Sequence, residues 1–562
     1  MSERDYQIKA LDATNETYDA GVRKMLHVMA TGTGKTRVFG TLFESFSSRL
    51  PGKQLVLAHT DELVKQNATK MQEVNPANKV GIEMAGCYAD EDCDIVSASV
   101  QTLGRKGSDR VQRFTEAQGF DKFVIDEAHH STSESYQRVL NAVGVLAPSS
   151  KSLLLGVTAT SQRSDGIALS DVYDKVAFTY DIRQAIKEGW LVNLRGYRVK
   201  TGTNLSGVST VAGDFVKSEL SLAVNTPDRN KRVVEAWQQY GENRKSVVYC
   251  VDIQHAKDMA WAFMEAGVDA LAVWGDDPCR TEKLAHHRDG RTKVLCNCSL
   301  LIEGYDDPEI ACIVDAAPGL SPVRYTQKIG RSTRLEDGVN LFVSTAAKRD
   351  SIVIDVADNC TRHSVVSLPS LMGISANLDL EGRSVLECVE EMEAAQEKFP
   401  SIDLTKLDKI GDLKTVVSKI DLLEIRFPAE VEANSELTWF RAIDGGYKML
   451  VPKEYYKQGQ VRIFENALGQ WELWGSINAE EFHGIRTTYV EAFKVADEQI
   501  RKRVSKQTLS CIKREGTWQN KPVTKSQIGM LKRLFKNKPF PFEHMTSGQA
   551  SKIISERLGR FQ

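Results

Sequence analysis

Residues 30–36 read Ala-Thr-Gly-Thr-Gly-Lys-Thr, and well downstream Val124 to His130 read Val-Ile-Asp-Glu-Ala-His-His. Either stretch alone says little, because Gly-rich turns and acidic strand ends are both common. In this order they constrain the chain strongly. A phosphate chain needs several backbone N–H groups converging on one concavity, and Gly32 and Gly34 supply the bare turn that this demands. His27-Val28-Met29 reads as the end of a buried strand, and Val38 to Phe46 continues with apolar residues at helical spacing. The loop therefore joins a strand to a helix N-terminus, which favours anions. Thr31 and Thr33 line such a loop, Lys35 would reach the β- and γ-phosphates of ATP, and the Thr36 hydroxyl would ligate Mg²⁺. Met29 departs from the general phosphate-loop pattern, which places Gly there.

Phe120 to Ile125 looks like a buried parallel strand that ends in Asp126 and Glu127. Asp126 would hold Mg²⁺, and Glu127 would orient and deprotonate an attacking water. An acidic pair can also cap a helix, but Lys35 upstream makes the nucleotide reading the stronger one.

Composition bounds the rest. At about 100–200 residues per domain, 562 residues allow three or four domains, and a net charge of −2 argues against a wholly electrostatic nucleic-acid coat. Neither a long apolar run nor a secretory-signal pattern is seen, so we expect no membrane association and a cytoplasmic setting, bacterial or in a phage-infected host. The ten cysteines are scattered, as reduced thiols are.

Short apolar runs at Leu55–Ala58, Ile95–Val96, Phe123–Ile125 and Leu153–Val157 alternate with helical patterns, the rhythm of βαβ units on a parallel sheet. A second series follows at Ser246–Cys250, Ala270–Val273, Lys293–Leu295, Ile310–Val314 and Asn340–Val343. The expected fold class is α/β: two tandem RecA-like lobes with parallel sheets, then a C-terminal α+β accessory region with a small antiparallel meander and a helical tail. The expected boundaries are 1–188 and 189–365 for the lobes, 366–505 for the accessory domain and 506–562 for the tail.

Further motifs occur in order. They are Arg4-Asp-Tyr6-Gln7, Leu57 to Gln66, Ser97 to Leu103, Thr158-Ala-Thr160 with Ser161 where Pro is usual, Val247 to Ala256, Leu301 to Pro308, and Gln327-Lys-Ile-Gly-Arg331-Ser-Thr-Arg334. Over roughly residues 4–345 this set resembles the superfamily-two helicases. The resemblance implies that Arg4 and Gln7 read adenine, with the Gln7 amide on its N6 and N7 edge, and that Gly304 and Asp306 join the ATP site. It also implies that His129, Thr158 and Thr160 couple hydrolysis to movement, and that His59, Thr60, Gln101, Thr102 and Asp252 face nucleic acid. Gln327, Arg331 and Arg334 would complete catalysis from the second lobe. Lys35 alone faces the γ-phosphate charge, so an arginine arriving from another lobe would finish its stabilisation. We assign Arg334 as that finger and place Arg331 on the γ-phosphate or against Glu127; the two roles are interchangeable on sequence grounds.

The Asp-Glu-Ala-His-His spelling, with the Ala58-His-Thr-Asp-Glu-Leu63 phrase, looks most like bacterial and phage DNA helicases of the RadD and UvsW type. The same core powers Type I and Type III restriction subunits, but no nuclease phrase follows it here, and no Cys cluster of the RadD kind does either. The implied partner is DNA, single-stranded or branched, before RNA, with unwinding or remodelling in replication, recombination or repair. A nucleic-acid clamp gated by ATP, without processive unwinding, is the alternative.

In the C-terminal third, Arg383 to Phe399 has helical spacing. Leu437–Ile443, Tyr447–Val451, Val461–Phe464 and Trp471–Trp474 alternate apolar and polar between Gly- and Asn-rich turns, which predicts the meander, with Trp439, Trp471 and Trp474 expected in its core and base stacking by its aromatics the alternative. From Gln499 to Pro541 the chain is rich in Lys and Arg, and Glu515 is its only acid. That run suggests a phosphate-contacting surface that includes Arg514, Lys532 and Arg533, the alternative being a solvated charge run. The helical tail, with a start near Thr546 to Gly548, could dock a replication or repair protein.

Overall fold

The computed structural model describes residues 3–513 except 116–117, 160–168, 212, 303–304, 306, 337–338, 344–347, 357–364, 399–403, 405–406, 414–428, 443–445, 453–458 and 467, together with 523, 528–529, 531–532 and 550. Contacts divide the chain into two units, Met1–Leu371 and Met372–Gln562.

The first unit holds two parallel sheets. In lobe one the strands are β1 (Lys24–Met29), β2 (Lys53–Ala58), β3 (Val80–Glu83), β4 (Ile95–Ser99), β5 (Phe120–Asp126), β6 (Leu153–Thr158) and β7 (Lys175–Tyr180). Their order is β3-β4-β2-β5-β6-β1-β7. Helix α1 (Asp5–Asp19) precedes them, α2 (Lys35–Ser45), α3 (Asp61–Val74), α4 (Val100–Leu103) and α5 (Glu134–Ala142) run between them, and α6 (Ile182–Lys187) follows β7. The central strands are buried on both faces, which is why they read as unbroken apolar runs. The edge strands β3 and β7 are half-covered and carry no such run, so the sequence pattern passes over them.

Lobe two contains β8 (Asn193–Val199), a small antiparallel hairpin of β9 (Thr210–Val211) and β10 (Asp214–Phe215), then β11 (Ser246–Tyr249), β12 (Ala270–Val273), β13 (Val294–Asn297), β14 (Cys312–Asp315) and β15 (Asp350–Val356). Its helices are α7 (Lys217–Val224), α8 (Pro227–Tyr240), α9 (Ile253–Glu265), α10 (Arg280–Arg288) and α11 (Pro322–Thr333). The sheet order is β12-β13-β11-β14-β15-β8, all parallel. Alternate residues enter two cores: Val248, Cys296, Val314 and Ile354 on one face, Val247, Leu295 and Ile313 on the other.

One expected strand is corrected. Asn340–Val343 is a turn, and the strand lies later, at β15. Asn340 accepts from the Phe342 N–H at 2.9 Å and donates to the Glu188 carbonyl at 2.8 Å, so its side chain closes a local turn instead of joining a ladder. Phe342 and Val343 are exposed, whereas Ser351 to Ile354 are fully buried.

In the second unit, β16 (Phe440–Arg441), β17 (Tyr447–Val451), β18 (Gly459–Glu465), β19 (Trp471–Ile477) and β20 (Glu480–Arg486) form an antiparallel meander, one strand longer than the sequence pattern shows. The helix Tyr489–Arg503 packs Phe493, Ala496 and Ile500 onto Tyr447, Val461, Ile463 and Leu473. Trp439 is fully buried and donates to Asp497 at 3.0 Å, but Trp474 is exposed, so it does not belong to the core as expected. The boundary expected at 505/506 falls inside this core. Ile512 is buried in it and its carbonyl accepts from the Thr438 N–H at 2.9 Å. Among the described residues no helix is long and apolar enough to cross a membrane.

Three buried histidines are held neutral. Burial lowers His27 to about 3, and it lowers His255 and His287 to about 4. Their stabilising contribution is present above the ordinary histidine value and is lost as pH falls, because the unfolded chain then binds protons that the folded one refuses. Urea unfolding should show stability falling from about pH 6.5 to 5 by about 1.4 kcal/mol per pH unit for each histidine. His27→Gln should make that slope shallower by one histidine's share, and an unchanged slope would contradict the assignment.

Candidate active site

The phosphate loop leaves β1, the strand expected, and enters α2. Gly32 and Gly34 both have positive φ, at 89° and 76°, a backbone shape that side-chain-bearing residues rarely take. A Cβ on Gly34 would lie 2.7 Å from Gln7 Nε2. Tyr6 and Gln7 at the start of α1 clamp the loop: the Tyr6 hydroxyl donates to the Thr33 carbonyl at 2.7 Å and Gln7 Nε2 does so at 3.2 Å. Gln7 Oε1 accepts from the Arg4 N–H at 3.0 Å. The amide expected to read adenine is thus also a brace for the loop, and only its remaining hydrogen and lone pair are open to a base.

Two aromatic residues near Arg4 and Gln7, Tyr180 and Trp190, escape the sequence pattern. Tyr6 stacks on Tyr180 with centroids 4.1 Å apart, Trp190 meets Tyr6 edge-on, and the Arg4 guanidinium lies over Trp190 at 4.5 Å. Tyr180 ends the edge strand β7, and finding that strand would have been the only signal.

Sheet order places β6 between β1 and β5, so Thr158 ends between the phosphate loop and the acidic pair. Lys35 Nζ pairs with Glu127 Oε1 at 2.7 Å, both nearly buried. Burial would raise the Glu127 carboxyl, but Lys35 and then His129 outweigh it and hold it well below the ordinary value. Asp126 moves the other way, raised first by burial and then by the Glu127 charge. Glu127 takes a φ of 53°, a strained setting for a side-chain-bearing residue of the kind found where chemistry is done. Its Oε2 lies 3.4 Å from His129 Nδ1, outside hydrogen-bond geometry. Asp126 accepts from Asn67 Nδ2 at 3.1 Å and from the Glu127 N–H at 3.0 Å. Asn67, buried on α3, is a third residue that the sequence did not mark.

The donor set suits Mg²⁺, which takes oxygen ligands. Thr36 and Asp126 would hold it, with the orphaned Glu127 Oε2 beside them, and when bound it would neutralise phosphate charge.

The other half of the site comes from α11. A Cβ on Gly330 would lie 2.6 Å from Thr31 Cβ, and one on Gly32 would lie 2.9 Å from Arg334 Cγ and 3.1 Å from Leu191 Cδ2. The two lobes therefore meet at bare glycines, and Arg334 lies directly on the phosphate loop. The Val192 N–H donates to the Thr333 carbonyl at 2.9 Å, tying the end of α11 to the segment that leaves lobe one. Gln327 is buried on the same helix. Arg331 donates to the Tyr305 carbonyl at 2.9 Å, and the Glu127 carboxylate is paired with Lys35. A further tie between lobes joins Arg280 on α10 to Glu62 on α3 at 3.0 Å.

The residues expected to face nucleic acid are partly gathered. Gln101 donates to the His59 carbonyl at 3.1 Å, and His59, His130 and His129 form a row with 4.1 Å between successive rings. Thr60 and Asp252 cap α3 and α9, and Thr102 accepts from the Ala85 N–H. Thr160, Gly304, Asp306, Arg514 and Arg533 lie outside the described residues, and so does the expected helix start at Thr546 to Gly548; Lys532 is exposed. The basic run is less free than its composition suggests. Arg501 and Lys513 pair with Glu436, Arg503 with Glu480 and Lys502 with Glu498, acids that lie outside the run.

The fold and this geometry are similar to those of superfamily-two helicase cores, including the type found in restriction subunits. Residues 1–163 match a family profile described as "Type III restriction enzyme, res subunit", and residues 418–562 match "Mitochondrial helicase Irc3, C-terminal domain". The chain is 30% identical over 451 residues to "Putative ATP-dependent helicase IRC3" of Saccharomyces cerevisiae, covering 78% of this chain and 62% of that one. It is 23% identical to "DNA 3'-5' translocase XPB2" of Sulfurisphaera tokodaii, covering 61% of this chain and 81% of that one. Among solved structures, the Type ISP restriction-modification enzyme LlaBIII bound to DNA shares the fold, with a TM-score of 0.50, 16% identity, and coverage of 73% of this chain and 31% of that one. The chain spans about three fifths of the length of the fungal relatives it matches.

Gly330→Ala should force α11 away from Thr31. Overpacking of this kind costs about 1–3 kcal/mol, so ATP turnover should fall roughly ten-fold or more with the fold intact by circular dichroism. Full turnover would show that the close approach of α11 is not needed. Asn67→Leu removes one of the two donors that hold Asp126, and should lower kcat for ATP more than it changes KM.

Proposed function

We propose that this chain is an ATP hydrolase that couples closure of its two lobes to movement along DNA, unwinding or remodelling forks and branched intermediates. The observation that carries this reading is the docking of Arg334 and Gly330 on the phosphate loop, which makes hydrolysis depend on the position of a second lobe. The Lys35 ammonium exchanges Glu127 for the γ-phosphate, which frees Glu127 to orient the attacking water, and Arg334 stabilises the charge that develops as the phosphoryl group transfers. The row from His129 through His130 to His59 and Gln101 runs from the catalytic carboxylate towards the expected strand-facing motifs. DNA is favoured over RNA by the names of the translocase and restriction relatives. The relatives that carry the Irc3 name favour that group over RadD and UvsW as the guide to cellular role, and two of those names are mitochondrial where the motif spelling points to a bacterial or phage-infected cytoplasm.

Lys35→Ala and Arg334→Ala should each lower ATP turnover at least a hundred-fold, while the parent enzyme should be stimulated by DNA. Strand displacement should then be measured on forked, flush and four-way DNA with an RNA duplex as control. Displacement of branched DNA supports the proposal. Turnover surviving in either variant, or stimulation without displacement on any substrate, would overturn it.

A further inference from the structure

A cavity of about 290 Å³ opens in lobe two beside the carboxyl ends of β11 and β14. These neighbouring strands flank the point where the sheet order reverses, and ligands of open α/β sheets bind at such points. The volume is near the low end for small-ligand sites, about 300–1,000 Å³, so there is room for one heterocycle and not for a duplex.

The cavity is built in three tiers. Its walls are apolar, with Phe215, Leu220, Ala317 and Pro318. Its floor is polar and buried, with Asp315, Tyr325 and Lys328; Lys328 Nζ donates to Asp315 at 2.7 Å and to the Ala317 carbonyl at 3.0 Å. Its mouth carries two exposed cations and one carboxylate: Lys217, which makes no ion pair among the described residues, and Arg324, paired at 3.5 Å with Asp214, which also lines the cavity and leaves one net positive charge there. Ser299, also at the mouth, holds a φ of 58°. Apolar walls, a hydrogen-bonding floor and a cationic mouth match a planar base that enters first with its phosphate outside.

Helix α11 forms both this cavity and the ATP site. Arg324, Tyr325 and Lys328 face the cavity, while Gly330 packs on the phosphate loop and Arg334, just past the helix end, lies over Gly32. A group seated in the cavity therefore bears on the same rigid element that completes the ATP site.

We propose that this cavity accepts one unstacked nucleotide unit, base inward and phosphate against Lys217 and Arg324, and that its occupancy biases α11 towards the phosphate loop. The proposal rests on the reading that the chain moves on DNA. Two sources share the chemistry, a base turned out of a bound strand and a free mononucleotide.

The test uses the full chain, a single-stranded DNA carrying 2-aminopurine at successive positions, and free 2-aminopurine ribonucleoside monophosphate. Ala317→Phe should fill the cavity. In the parent protein, 2-aminopurine emission should change on binding at one strand position, and Ala317→Phe should abolish that change and weaken strand binding by roughly ten-fold. Basal ATP turnover should be unaltered in the variant, which also reports that it has folded, while stimulation by the strand should be lost. Lys217→Ala, which leaves the walls intact, should lower the slope of log affinity against log salt by about 1. A response to the free nucleotide alone that is lost in Ala317→Phe would support the cavity and assign the second source. If the strand binds, as read by anisotropy, but neither probe gives a response sensitive to Ala317→Phe, the cavity proposal falls and the DNA reading stands. Failure of any strand to bind would overturn both.

Discussion

The approach of Gly330 to Thr31, and of Arg334 to Gly32, is the contact on which the rest of this molecule turns. Neither glycine could carry a side chain without displacing its neighbour, so the second lobe reaches the phosphate loop only because two positions are bare. Everything chemical follows from that closeness. Lobe one alone offers the γ-phosphate a single lysine, whose ammonium is held by Glu127. In the proposed reading the missing positive charge is that of Arg334, which lies against Gly32, so the site would be complete only in one mutual arrangement of the two lobes.

The polar groups at the centre are set for exchange rather than for stability. Lys35 and Glu127 form a nearly buried pair, an arrangement that costs desolvation on both sides and gains little over an apolar contact. The strained Glu127 backbone adds to that cost. Surrounding structure carries it: Asn67 orients Asp126, Tyr6 and Gln7 brace the loop from α1, and the sheet order brings Thr158 between the two motif strands. In the proposed reading, a pair assembled in this way would give up its partner to phosphate.

How much of this was legible in the sequence depends on whether the constraint was local. The phosphate loop could be read because its glycines are demanded by backbone geometry, and the central strands because burial on both faces leaves an apolar run. Gly330 could be read as part of a spelling, but its reason, contact with Thr31, needs the fold. The edge strands β3 and β7 are half-covered and carry no unbroken apolar run, and with β7 went Tyr180 and its stack. Asn340 to Phe342 looked like a strand because apolar residues follow an asparagine there, whereas the asparagine side chain turns the chain. The basic run after Gln499 looked like a free surface because Glu436 and Glu480, which pair with it, lie far away in sequence.

The central claim, that the ATP site is shared between lobes and closes when its parts meet, is tested most directly by a distance across them. Fluorescent labels on α3 and α10, flanking the Glu62 to Arg280 ion pair, can be followed by energy transfer with ADP and with a non-hydrolysable ATP analogue. The account predicts high transfer with the analogue, lower transfer with ADP, and no rise with the analogue in Arg334→Ala. Transfer that ignores the nucleotide, or that rises equally in Arg334→Ala, would contradict it.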